Sequence, residues 1–289
     1  MPLPKLDREQ RLLLESAFAA CRRAGAIHRQ YFRRADLGVE WKRDASPVTP
    51  SDRLAEEAIR ETLFRATHEF GCFGEEFGQE GDERDRWVID PLDGTNNFFT
   101  GLPHFATLIA LERDGRFELG VVHAPLLADP HPDTVRDPRD PASLGESWWA
   151  IRGVGAYQGP GSGEAALGGR RLEVSRVGRV GEAFITHGGL KRLMKAGLWP
   201  KFTLLVERVA RTRGFGDWWG HMLVAEGRCE AMVEASVALY DVAAPKVIVE
   251  EAGGAFFSRG NAPLDSQFNE AVLASNRTLA DPLRELLEF

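Results

Sequence analysis

Apolar residues Leu13, Ala17, Ala20, Ala24, Ile27 and Tyr31 recur at steps of four and three, the spacing of a helix that buries one stripe. A second helix is predicted from VTPSDRLAEEAIRETLF: Thr49 suits the N-cap, Pro50 the first helical position, and Asp52 stands where its carboxylate closes a capping box. The pattern then changes period. Short strands are expected around 72–73 and 87–89, and ATLIALERDGRFELGVVHAP reads as a hairpin that turns at Asp114-Gly115. The following LADPHPDTVRDPRDPASLG is rich in Pro and Asp and reads as an exposed loop rather than a linker; no role is assigned to 129–146.

Farther along, SWWAI, RRLEVS and 183–186 are predicted strands. A helix is expected over 190–209, with breaks at Gly197 and Pro200, before the Gly-rich RTRGFGDWWGHMLVAEG. YDVAAPKVIVEEAGG reads as a helix stopped by Gly253-Gly254, AFF and AVLAS as late strands, and 279–287 as a terminal helix. Elements segregate in the first half and alternate in the second. This predicts an α+β protein with a layered half, 1–146, and an α/β half, 147–289.

The 289 residues carry a net charge of −7, which argues against a general nucleic-acid binder. An anionic substrate then needs a cation or a local dipole at its site. Cys21, Cys72 and Cys229 match no zinc spacing, and their sparseness fits a reducing compartment. The N-terminus shows no signal core, and no apolar run approaches the roughly 18 residues of a membrane span. The expectation is a soluble cytoplasmic protein without membrane partners.

WVIDPLDGTNNFF ends an apolar run with Asp90 and Asp93, three residues apart around Pro91. Neighbouring acids at a strand end repel and lose solvation unless a cation lies between them. Glu75 and Glu76 in GEEFG, Asp241 in YDVAA and Asp52 in TPSD are further candidates. Such hard oxygen donors suit Mg²⁺, and a ligand shared by two ions makes a two-metal site for phosphoryl displacement. Blander readings stand beside these. Glu75 and Glu76 form a solvated turn, Asp241 an N-cap, and Asp52 the partner of Thr49 and nothing more.

GEE, WVIDPLDGTNNF and YDVAAPKVIVEEAGG, in this order, resemble the inositol monophosphatase family of Mg²⁺-dependent, lithium-sensitive phosphatases. The resemblance runs from SPVTPSD to the last helix. ESWWAIRGVGAY and RTRGFGDWWGHMLVAEGRCEAMVE resemble its histidinol-phosphatase branch, whereas DGTNN is nearer the inositol type, and Tyr240 stands where the family usually has Trp. The resemblance implies a layered α/β/α/β/α sandwich of the sugar-phosphatase type. It implies one Mg²⁺ on Glu75, Asp90 and the Leu92 carbonyl, and a second on Asp90, Asp93 and Asp241. Most of these ligands fall in the first half, with Asp241 and the substrate rim in the second. Thr95 and Glu75 would orient water, Asp52 would support Thr95 or a third ion, and the N–H groups of Gly94 and Thr95 would hold phosphate. Asp93, Asp217 and Glu234 would touch the substrate, a small phosphomonoester, and a homodimer is expected. L-histidinol phosphate, an intermediate of histidine biosynthesis, is the favoured ester over inositol 1-phosphate or a related sugar or nucleotide phosphate. Asp217 as a helix N-cap and Glu234 as an exposed strand end are the bland alternatives.

Rival chemistries fit less well. Haloacid-dehalogenase phosphatases place two acids two residues apart before Gly-Thr, on one side of a strand, whereas here Pro91 makes the spacing three. No G-x-S-x-G, Walker A or H-E-x-x-H string occurs, and His104, His123 and His221 read as structural. A partner-binding member that keeps the fold without turnover would be expected to lack a metal ligand, and every expected ligand is present.

Overall fold

The computed structural model describes residues 4–34, 37–41, 47–127 and 144–289, so the expected loop at 129–146 lies outside the described residues as far as 143. In chain order the elements are α1 (Arg8–Tyr31), β1 (Glu40–Trp41), β2 (Pro47–Val48), α2 (Pro50–Ala66), β3 (Gly71–Gly74) and β4 (Gly78–Glu80). They continue with β5 (Asp85–Asp93), α3 (Thr95–Phe99), β6 (Ala106–Arg113), β7 (Arg116–Ala124), β8 (Glu146–Ile151) and β9 (Gly155–Pro160). Then come α4 (Glu164–Leu167), β10 (Arg170–Arg171), β11 (Phe184–His187), α5 (Leu190–Lys195), α6 (Trp199–Arg208) and β12 (Arg211–Arg213). The chain closes with α7 (Asp217–Ala225), β13 (Ala231–Ala238), α8 (Leu239–Glu251), β14 (Ala255–Ser258), β15 (Asn269–Ser275) and α9 (Ala280–Leu287).

Among the described residues, one large sheet has the order β10-β9-β8-β7-β6-β5-β3-β4 and a smaller one the order β12-β11-β13-β15-β14. Helices α1 and α2 cover the outer face of the large sheet, where Leu14, Phe18, Ile59 and Leu63 meet Ile89, Val121 and Trp149. Between the sheets, Val242, Val247 and Ile248 of α8 and Met222 of α7 pack against Val88, Leu108 and Trp148 on one side and Val272 on the other. A helix held between two sheets must be apolar around its circumference, and α8 is buried at Val242, Ala243, Ala244, Val247, Ile248 and Val249. The outer face of the small sheet is closed by α5, α6 and α9 through Leu193, Phe202, Leu205 and Leu283. The layer order is α/β/α/β/α, as expected. β5 is buried along almost its whole length because helices cover both faces of its sheet.

Local expectations meet mixed outcomes. The hairpin turns at Asp114 (φ 47°) and Gly115 (φ 73°), the paired left-handed conformation of a tight β-turn. The helix expected over 190–209 is two helices. Gly197 at φ 71° breaks it, whereas Pro200 sits in the first turn of α6, where its missing N–H costs nothing. Of RRLEVS, Arg170–Arg171 alone forms a strand. β8 pairs directly with β7, Glu146 opposite Ala124, so β8, β9 and β10 extend the large sheet. The large sheet therefore ends with β10 at Arg171, and the small sheet begins with β11. Trp148, Trp149 and Trp218 are buried, which settles them in the core.

Candidate active site

The acidic turn is made by an interruption of the β5–β6 ladder. Asp90 lies opposite Leu108 and Asp93 opposite Ala106, so β5 carries one residue more than its partner between these pairs. In a regular strand, residues three apart point to opposite faces. The extra residue of a bulge restores both acids to one side. Pro91 has no N–H to lose there, and the Leu92 N–H donates to Asp90 Oδ1 at 2.9 Å. Gly94 then reverses the chain at φ 89° into α3. A Cβ on Gly94 would lie 2.9 Å from the His104 carbonyl oxygen, so both conformation and space require glycine.

Other elements converge on this turn. β3 pairs in parallel with β5, Gly74 opposite Ile89, which sets Glu75 beside Asp90. Asp241 is the third residue of α8, not its N-cap, and its Oδ2 accepts the Ala238 N–H at 2.7 Å. Asp93 Oδ2 accepts the Trp218 N–H at 2.8 Å, fastening the turn to the start of α7. Asp217 opens α7 at φ 56° with Gly216 as the N-cap, and it accepts from Asn97 Nδ2 at 3.3 Å. Glu234 is 4 % exposed, so it is no exposed strand end. Its Oε1 lies 3.4 Å from the Asp217 N–H donor nitrogen and its Oε2 3.6 Å from His221 Nε2.

The result is a cavity of about 440 Å³ whose walls include Glu75, Asp90, Asp93, Asp217, Glu234 and Asp241. Arg192 is the cation among its described lining residues; it donates to the Ser236 carbonyl at 3.2 Å and offsets part of the upward shift at Asp217 and Asp241. Burial lifts the Asp90 carboxyl well above its ordinary range, with Glu75, Asp93 and Asp241 adding repulsion. Burial does the same to Asp93, reinforced by Asp217, Asp241 and Glu234. Asp241 is pushed up to about 6 and Asp217 to about 7, burial again leading. Acids held this way accept either protons or a cation. The donors are all oxygens, the set that suits Mg²⁺. Among the described residues no three His, Cys, Asp or Glu side chains close into a finished metal cage. Mg²⁺ does not require one, since it keeps several waters and takes one or two carboxylates plus substrate phosphate.

The model of the inositol monophosphatase family matches residues 9–289. The chain belongs to that family. It is 38% identical over 264 residues to a histidinol-phosphatase of Streptomyces coelicolor, covering 90% of this chain and 91% of the relative. It is 32% identical over 285 residues to an inositol-1-monophosphatase of Rhizobium meliloti, covering 96% of each. An inositol monophosphatase structure from Zymomonas mobilis superposes with a TM-score of 0.77 at 29% identity, covering 99% of this chain and 100% of that one.

In this member of the inositol monophosphatase family, the cavity wall holds Glu75, Asp90, Leu92, Asp93, Gly94, Thr95, Asp217, Glu234 and Asp241 together. Asp52 stands one layer back. It closes the predicted capping box with the Thr49 N–H at 2.8 Å, accepts from Thr49 Oγ1 at 2.6 Å and is the acceptor for Thr95 Oγ1 at 3.4 Å. Burial raises it to about 6. Thr95 Oγ1 also donates to the Leu92 carbonyl at 3.0 Å. Tyr240, where the family usually has Trp, packs against Phe73 with ring centroids 6.2 Å apart. Sequence reasoning passed over Arg192, which reads as one more charge on a short exposed helix, while Asn97, in the DGTNN string read as nearer the inositol type, reaches Asp217 across distant segments.

Proposed function

We propose that this chain hydrolyses L-histidinol phosphate to L-histidinol and phosphate with Mg²⁺ as cofactor. Membership of the family makes it a phosphoric monoester hydrolase. In this reading Glu75, Asp90 and the Leu92 carbonyl hold one Mg²⁺, and Asp90, Asp93 and Asp241 a second. Bound Mg²⁺ supplies Lewis-acid neutralisation of the phosphate oxygens and acidifies water in its shell.

The chain's own groups do the rest. The Gly94 and Thr95 N–H groups, at the start of α3, donate to the phosphate. Glu75 and the Thr95 hydroxyl orient the attacking water, and Asp52 holds Thr95 in place, or supports a third ion, from behind. A new O–P bond forms from water, the ester O–P bond breaks, and the leaving alkoxide takes up a proton to become the alcohol. Asp93 orients the leaving side while fixed by the Trp218 N–H.

The observation that carries the substrate is the pair Asp217 and Glu234 on the wall shared with the acidic turn, Glu234 buried and Asp217 half-buried. A buried carboxylate is stabilised far more by a cationic partner than by a hydroxyl. The ammonium and imidazole of histidinol phosphate supply such partners, and the Streptomyces relative supports the same ester. Inositol 1-phosphate is the second reading, because rim acids and Asn96 on the same wall also accept or donate hydrogen bonds to hydroxyls. Asp217→Ala tests the assignment: turnover of histidinol phosphate should fall at least tenfold with phosphate-only esters little changed, and undiminished turnover overturns it. No helix of the described residues is long and apolar enough to cross a membrane. A cytoplasmic homodimer acting in histidine biosynthesis completes the reading.

A further inference from the structure

The bulge that turns Asp90 and Asp93 to one side takes Pro91 out of the β5–β6 register and sets its carbonyl in the interior. A buried carbonyl is costly unless a hydrogen-bond donor serves it. Two side chains do. His28 Nε2 lies 2.8 Å from the Pro91 oxygen, and Thr107 Oγ1 donates to it at 3.0 Å.

His28 is 0 % exposed and sits on α1, which contributes no residue to the cavity wall. Its other ring nitrogen, Nδ1, lies 2.8 Å from Ser51 Oγ, beside Asp52 at the start of α2. A carbonyl only accepts, so Nε2 carries the proton, and Nδ1 accepts from the Ser51 hydroxyl. Burial holds the ring neutral, lowering its pKa to about 4. Phe98 of α3 and Phe105 meet the ring edge-on at centroid distances of 6.1 and 5.9 Å, which fixes its plane. One imidazole thus bridges α1, the segment carrying Asp52, and the carbonyl between Asp90 and Leu92.

We infer that His28 is a positioning residue for the acidic turn: by holding the Pro91 carbonyl it sets the mutual orientation of Asp90, the Leu92 carbonyl and Asp93. The inference rests on reading that turn as the Mg²⁺ site. Outer contacts of this kind typically change metal affinity by about 10–100-fold when removed. His28→Leu deletes the hydrogen bonds to Pro91 and Ser51 and leaves Thr107 as the remaining side-chain donor to Pro91. Its Mg²⁺ dissociation constant, measured by titration calorimetry without substrate, should rise about tenfold. His28→Gln, which offers an amide donor and an acceptor, should recover most of the affinity. Leu283→Ala removes packing from the outer core of the small sheet, away from the turn, and should lower Tm while leaving Mg²⁺ affinity unchanged. Thr107→Val removes the second donor and should weaken Mg²⁺ binding in the same sense, which keeps the test open should His28→Leu fail to fold.

Mg²⁺ affinities within twofold of wild type in both Thr107→Val and His28→Leu, or in Thr107→Val alone should His28→Leu not fold, overturn the inference and leave the metal reading standing. Wild-type protein that binds no Mg²⁺ overturns the metal reading and the inference with it.

Discussion

Gly188→Ala is the sharpest perturbation of the substrate rim. Gly188 follows β11 and donates its N–H to the Val233 carbonyl at 3.0 Å, and its φ lies outside the left-handed region, so alanine is tolerated by the backbone. The added Cβ would stand 2.5 Å from Glu234 Oε1, 2.8 Å from its Cγ and 2.9 Å from its Cδ. Non-bonded heavy atoms settle near 3.5 Å, so the carboxylate must retreat by about 1 Å. The displaced group is the buried Glu234 side chain from Cγ outward, which must turn about its χ angles, so Tm should fall while the fold is kept. Recognition should not escape. A misplacement of ~1 Å near the chemistry costs about 100-fold in rate, equivalent to ~2.7 kcal/mol of transition-state stabilisation. The assay is kcat/KM at saturating Mg²⁺ on histidinol phosphate and on phenyl phosphate, whose leaving group offers no cation, with Tm as a control. The expected result is a loss of about 100-fold on the first ester and less than threefold on the second. Wild-type kcat/KM on histidinol phosphate would refute the reasoning, as would equal losses on both esters.

Asp90→Asn removes the acid shared by both proposed ions and should reduce Mg²⁺-dependent phosphate release to background in a folded protein; turnover that survives this change, or survives EDTA in the wild type, contradicts the metal scheme. Asp52 has a folded pKa raised from 3.8 to about 6 by burial, so its contribution is fully present below about pH 4 and is lost as pH rises through 6. In metal-free protein the stability of wild type relative to Asp52→Asn should therefore fall by ~2.4 kcal/mol between pH 4 and 7 by urea unfolding, and a flat difference counts against that burial. Sedimentation at micromolar concentration should show a homodimer, and a purely monomeric species would contradict the expectation drawn from the family.

Much of the site was legible because the chemistry is written locally. Asp90, Pro91 and Asp93 encode a bulge in three residues, and Gly94 marks a reversal that no other residue fits. The layers were legible because each covered face leaves a periodic apolar stripe. That stripe also misled. It placed Ile27 inward, yet the helix presents the adjacent His28 to the interior, and a polar residue off the stripe gives no hint of the carbonyl it will serve. Arg192 and the reach of Asn97 to Asp217 were invisible for a related reason. Their importance comes from α3, α5, α7 and β13 meeting across the cavity, and pairings between distant segments leave no local pattern.

The most direct measurement is phosphate release with Mg²⁺ from histidinol phosphate, inositol 1-phosphate, fructose 1,6-bisphosphate and adenosine 3′,5′-bisphosphate, compared by kcat/KM. The account predicts that histidinol phosphate is the preferred ester and that EDTA abolishes release from all of them. A higher kcat/KM for inositol 1-phosphate would contradict the substrate assignment, and metal-independent release would contradict the chemistry of the acidic turn itself.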